Sequence, residues 1–397
     1  MSSCHIFKNI VFFNFISFLA SFTLFAQEVV ESTSGNEFRL ALTTEVGSID
    51  NFLYDSDDEQ STSVLTFAPS VFLKTQHRQQ LLTLALNTRH SSYQDFSQDD
   101  HTDFDLNVSH QYKFAHNKSW FVNAQLQEKY QLRGTGLSLG EANTLNKGDE
   151  RQIFSVSTGY FYGSQTSVAK LTFELGLLND SFNTRRAQTR LLDKESQFMQ
   201  VGFDYLMSGQ SYFSTDFIYD SISAKYNPSQ DKQKYTGLLG FKWRSSVMTQ
   251  AEIFLGYKQI NFKQNNFKDQ GTFSWRANVD WSPVASTQIT FSTARKIEEA
   301  NKLTNSFRLV DSYQVDAITD LNDMLQLSVS LGYQDETIFF EDSDIKEAFV
   351  IADMMLKYNR NQWLSVFIKY RYSSLQDTPS SISYQRNGIS LGFNVTI

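Results

Sequence analysis

The chain has 397 residues, a formal net charge of −8 and a mean hydropathy of −0.37, with 35 Phe and 18 Tyr but only 4 Pro. That hydropathy excludes a bundle of membrane-crossing helices but not a transmembrane barrel, which hides its apolar residues at alternate positions. Few prolines suit long unbroken strands, no Lys/Arg patch points to nucleic acid, and the one cysteine, Cys4, allows no intrachain disulfide.

Residues 1–26 read as a secretory signal. Lys8 supplies the positive start, an apolar run extends from Ile10 to Phe25, and Ala26 precedes the expected cleavage. Residues 27–36 then form a polar periplasmic lead-in, and 37–397 form the folded body. From residue 37 onward the chain alternates apolar and polar residues with period 2, the mark of strands with one apolar face. Phe38, Leu40, Leu42 and Val46 begin the series. Leu65, Phe67, Val71 and Leu73 follow, then Leu82, Leu84 and Leu86, then Phe104, Leu106, Val108 and Tyr112. Later segments repeat the rhythm at about 20 residues per strand and connection. Long connections are expected at 48–60, 133–150 and 178–194, and short ones near 77, 116, 163, 208, 246, 284, 321 and 360. Alternation of long and short connections matches barrels with long extracellular loops and short periplasmic turns.

The last segment is the most regular. Ile389, Leu391, Phe393, Val395 and Ile397 alternate with Ser390, Gly392, Asn394 and Thr396 up to the final residue. It resembles the C-terminal signal read by the outer-membrane assembly machinery of Gram-negative bacteria, with Ile397 where that signal usually carries Phe or Trp. The expected architecture is all-β: a closed antiparallel transmembrane β-barrel of about 18 strands without a plug domain, both termini in the periplasm. Lipid and lipopolysaccharide of the outer membrane are the expected surroundings. Trp120, Tyr160, Trp243, Trp281, Tyr358 and Trp363 lie beside the short turns, where amphipathic rings form a girdle at the headgroup level. His110, Glu128 and Asp311 interrupt the apolar faces and are expected near an interface.

The polar faces are expected to line the lumen. Basic candidates are Arg39, Arg89, Lys113, Lys129, Arg133, Lys170, Lys242, Arg244, Arg276, Arg295, Arg308, Lys369 and Arg371. Acidic candidates are Glu45, Asp103, Asp105, Glu174, Asp204, Asp216, Glu252, Asp280 and Asp353. Unpaired, the basic residues favour anionic solutes; paired, the same residues form an interior ladder that stiffens the wall. Acidic clusters at Asp55, Asp57, Asp58 and Glu59, at Asp95, Asp99 and Asp100, and at Glu336, Glu341, Asp342 and Asp344 read as solvated loops without the spacing of a calcium loop. Neither a metal site nor a cofactor is expected. The histidines lie in the first third, and no hydrolase or nucleotide-binding signature occurs. Asp100-His101 is the one acid–base neighbour pair an outer-loop hydrolase could use.

Several stretches resemble a family of outer-membrane β-barrel porins associated with exopolysaccharide or capsule biosynthesis loci. They are Trp281-Ser282-Pro283 with Thr287-Gln288-Ile289 and Arg295; Tyr358-Asn359-Arg360-Asn361-Gln362-Trp363-Leu364; Tyr370-Arg371-Tyr372-Ser373-Ser374; and Tyr384-Gln385-Arg386-Asn387-Gly388-Ile389-Ser390-Leu391. Glu45-Val46-Gly47 with Asp50-Asn51 looks like that family's first strand and loop. The resemblance implies a passive conduit, with polysaccharide export components as partners, and no catalytic residues. A structural or adhesive barrel acting through its outer loops is the alternative.

Overall fold

The structure, a computed structural model, describes residues 35–397 except 165–166, 245, 247, 265–266, 300–304, 341–342 and 379–381. The expected signal with Cys4, residues 27–34 of the lead-in, and Glu341 and Asp342 lie outside the described residues.

Eighteen strands form one antiparallel sheet. They are β1 (Glu37–Ile49), β2 (Thr62–His77), β3 (Gln80–Tyr93), β4 (His101–Ala115), β5 (Lys118–Gln131) and β6 (Asp149–Tyr162). Next come β7 (Ala169–Phe182), β8 (Lys194–Ser208), β9 (Ser211–Ala224), β10 (Lys232–Trp243), β11 (Thr249–Phe262) and β12 (Gln270–Val284). The last are β13 (Thr287–Glu299), β14 (Phe307–Asp320), β15 (Leu325–Phe339), β16 (Asp344–Asn359), β17 (Leu364–Thr378) and β18 (Tyr384–Thr396). Each strand pairs with the next, and β18 pairs with β1 through Thr44↔Phe393, Val46↔Leu391 and Ser48↔Ile389. Leu40 and Ile397 exchange both backbone hydrogen bonds, at 2.9 and 2.8 Å, so the final residue completes the ring. Closure leaves no edge strand with unpaired backbone groups, the condition for a sheet in lipid.

Two-residue turns at 78–79, 116–117, 209–210 and 285–286 lie at one end of the barrel, and the longer connections 50–61, 132–148 and 183–193 at the other. Side chains alternate sharply between the two faces. On β9, Ser214, Asp216, Ile218 and Asp220 are buried, whereas Phe213 and Phe217 are 42% and 43% exposed. Directly opposed residues share a face, so the register carries this assignment around the ring. The outer face is an apolar band: Leu171, Phe173, Leu175 and Leu177 on β7; Ile253, Leu255 and Tyr257 on β11; Leu391 and Phe393 on β18. Towards the long-loop end the outward positions become polar, as at Asn179, Gln197, Gln233 and Gln259. The band spans four or five outward positions per strand, in keeping with the apolar height of about 25 Å of such barrels.

The strands outrun the sequence expectation at that end. β7 continues to Phe182, so the connection expected from 178 starts at 183; β18 begins at Tyr384 rather than 389. Above the band both faces are polar, so backbone pairing continues while hydrophobic alternation stops.

Candidate functional site: the inner wall and its mouth

The register places Arg39, Arg89, Asp103, Asp105, Lys113, Lys129, Lys170, Glu174 and Asp204 on the inner face. Lys242, Glu252, Arg276, Asp280, Arg308, Asp353, Lys369 and Arg371 share it, and Arg244 joins them by pairing with Glu252 at 2.7 Å. Arg295 does not. Ala294 opposes inward Arg276, which turns Arg295 outward against Asp311, with its guanidinium 4.3 Å from the Trp275 ring centroid. The sequence reading sent Arg295 to the lumen; here an outward acid and an aromatic face satisfy the guanidinium instead.

The inner charges are largely engaged with one another. Lys242 meets Asp204 at 2.9 Å, Arg276 meets Asp216 at 2.9 Å, Arg371 meets Asp353 at 2.8 Å and Arg89 meets Glu45 at 3.2 Å. Asp180 accepts from Arg151 at 2.5 Å and lies 3.5 Å from Lys194. Glu299 joins Lys232 and Lys234 at 2.8 and 2.9 Å, and Arg308 bridges Glu298 and Glu336 at 2.8 and 2.5 Å. The paired ladder therefore describes these residues better than a bare cationic lining. Lys170 stacks on Tyr212, its ammonium 3.9 Å from the ring centroid. Such pairs gain little net stability, because desolvation offsets their attraction, but deleting one partner strands the other. Glu336, expected in a solvated loop, is 2% exposed within β15.

At the long-loop end, three connections pack into one cap. Phe52 and Leu53 of 50–61, Phe96 of 94–100 and Ala142 of 132–148 join Tyr93 in a small apolar core. Beneath it, Arg133, expected on the lumen wall, lies instead in the 132–148 connection and holds Asp99 through two nitrogens at 2.6 and 2.9 Å, and Tyr130 donates to the same carboxylate at 2.8 Å. Asp99, expected in a solvated loop, is fully buried. Asn51 donates to the Asp55 and Gln385 carbonyls, tying the cap to β18. Gly134 has φ +80°, and a Cβ there would sit 2.1 Å from the Leu53 carbonyl oxygen, so only glycine allows this contact. Gly140 abuts Ile382 of the connection before β18, which carries 132–148 across the seam side of the mouth. Opposite, Gln230 donates to the Asn305 carbonyl and Lys232 to that of Ser306, so the segment before β14 leans inward over the intervening strands. In the 183–193 connection, Asp193 binds Arg186 at 2.7 Å and raises its pKa.

The rings of Trp120, Tyr160, Trp243, Trp281 and Tyr358 project outward at the short-turn end, and Trp363 lies in the 360–363 turn. Glu128 and Asp311 are outward at the polar edge of the band, and His110 is outward, edge-on to Trp120. Asp100 and His101 do not form an acid–base pair. The Asp100 carboxylate accepts from the Tyr93 amide, while His101 contacts the Asp99 carbonyl and stacks on Tyr130.

Residues 215–397, from within β9 through β18, match the family described as "Putative beta-barrel porin 2". The longer stretches of the C-terminal resemblance lie in that segment; Glu45-Val46-Gly47 does not. No curated protein matches the chain. Among solved structures, OccK2 (OpdF) of Pseudomonas aeruginosa in complex with glucuronate is 10% identical, covering 91% of this chain and 98% of that one at a TM-score of 0.50. OccAB4 of Acinetobacter baumannii is 13% identical, with coverages of 92% and 99% and a TM-score of 0.48. The outer membrane protein opdK of P. aeruginosa is 9% identical, with coverages of 91% and 99% and a TM-score of 0.46. Identities this low speak to fold alone. The closed eighteen-stranded barrel is the fold of an outer-membrane porin, and the match over residues 215–397 agrees with it.

Proposed function

We propose that this barrel is a passive channel for small hydrated solutes, oriented with the long-loop cap outside the cell and both termini in the periplasm. The observation that carries the reading is a closed eighteen-stranded wall whose inner face is charged and whose outer face is apolar. A ring of this size leaves an aqueous path unless loops fill it, and every described strand belongs to the wall. The connections at 132–148 and 305–306 lean over the mouth and favour small solutes over a broad conduit. The paired inner charges supply donors and acceptors of both signs, suited to charged, hydroxyl-rich solutes; the glucuronate bound by OccK2 is one molecule of that kind. Export of an acidic exopolysaccharide or capsular polymer rests on the family resemblance, and the folded-in mouth weighs against it. Refolded protein in planar bilayers should give discrete conductance steps, blocked by small sugar acids. Electrical silence would overturn the channel reading. Steps blocked only by long polymers would favour export, and silence combined with loop-dependent cell adhesion the adhesive alternative.

A further inference from the structure

We infer that Glu174 is the charged ligand of a monovalent-cation site built into the inner wall. This does not depend on what the lumen conducts. Glu174 lies on β7 between outward Phe173 and Leu175, well inside the apolar band, and is 3% exposed. Asp180, Asp204, Asp216, Glu299 and Asp353 each have a Lys or Arg partner. Glu174 has none among the described residues, and its Oε1 has no hydrogen-bond partner. Two buried hydroxyls follow along the inner face of the neighbouring strand, the nearer of them beside the carboxylate. On the inner face of β6, Ser157 opposes Gly176 and its hydroxyl lies beside the carboxylate with no other partner among the described residues, and Ser155 opposes Leu178 one inward position further on; both are buried. Gln200, buried, directly opposes Glu174 on the other side, and Asn123 opposes Ser157.

Two glycines roof the group with aromatic rings. Gly159 opposes Glu174, and a Cβ there would lie 2.4 Å from Phe121 Cζ; Gly176 is the next inward residue of β7, and a Cβ there would lie 2.2 Å from Phe198 Cε1. The missing side chains let both rings lie against the wall beside the carboxylate and keep water from it. An ionised carboxylate in such surroundings needs a compensating charge. The donors at hand are all oxygens, which select a hard cation, and the single carboxylate balances a single positive charge.

The full-length barrel, refolded and crystallised in a thallium(I) salt as an electron-rich stand-in for an alkali cation, should show an anomalous peak between Glu174 and Ser157. Glu174→Gln should abolish it. In detergent, replacing Na⁺ or K⁺ by N-methylglucamine at constant ionic strength should lower the unfolding midpoint of the natural protein and leave that of Glu174→Gln unmoved. If Glu174→Gln does not refold, Ser157→Ala should weaken the cation response several-fold. Absence of the peak, an unchanged response in either variant, or an infrared carboxylic-acid band assigned to Glu174 in potassium buffer would overturn the site and make the group a protonated acid.

Discussion

Arg133→Met tests the cap most directly. Asp99 is fully buried and Arg133 6% exposed in its side chain, and the guanidinium is its only ion-pair partner among the described residues. Methionine keeps much of the stem but leaves the carboxylate with the Tyr130 hydroxyl alone. Stranding one member of a buried pair costs about 3–5 kcal/mol. Coupled to local opening of 132–148, that raises the open population roughly 10²–10³-fold or more, at about 1.4 kcal/mol per tenfold. Lys147, half-exposed within this connection, reports the opening as a trypsin site. Cleavage there should accelerate by a comparable factor while the strands stay intact, and single-channel conductance should rise as 132–148 leaves the seam side of the mouth. Adding Asp99→Asn should recover part of the loss, because it removes the stranded charge. Cleavage at Lys147 no faster than in the natural protein would refute the view that this pair holds the cap.

Arg276→Gln frees the carboxylate of Asp216 on the inner face and should shift the reversal potential in a salt gradient towards cation selectivity; Arg295→Gln, on the outer face, should leave it unmoved. Arg308→Gln strands Glu298 and Glu336 together and should both shift selectivity and lower the unfolding midpoint in detergent. Leu391→Arg puts a charge in the middle of the apolar band, which costs about 2–4 kcal/mol, read as reduced folding into lipid vesicles. Removing Ile397 deletes the backbone pair with Leu40 and should slow barrel closure, measured as persistence of the heat-modifiable unfolded band on gels.

Local alternation determined the wall. Phe38 to Val46 and Ile389 to Ile397 show period 2 because each strand meets lipid on one face and water or charge on the other, and that contrast is written residue by residue. The strand number, the alternation of long and short connections and the outward aromatics beside the short turns follow from the same pattern, as does the pairing of the last strand with the first. The pattern fails where the contrast vanishes. Tyr384 to Asn387 and Asn179 to Phe182 are strand without apolar alternation, because above the band both sides are polar. Facing alone could not place Arg295, since its outward position depends on the register set by Arg276↔Ala294 and on Trp275 and Asp311 beside it. Nor could Asp99 and Glu336 be told from solvated loop acids: their partners Arg133 and Arg308 are distant in sequence, and burial follows from how connections fold over the mouth. Which charges cancel, which loop crosses the opening and which carboxylate is left uncompensated are properties of strands brought together around a closed ring, and only the tertiary structure decides them.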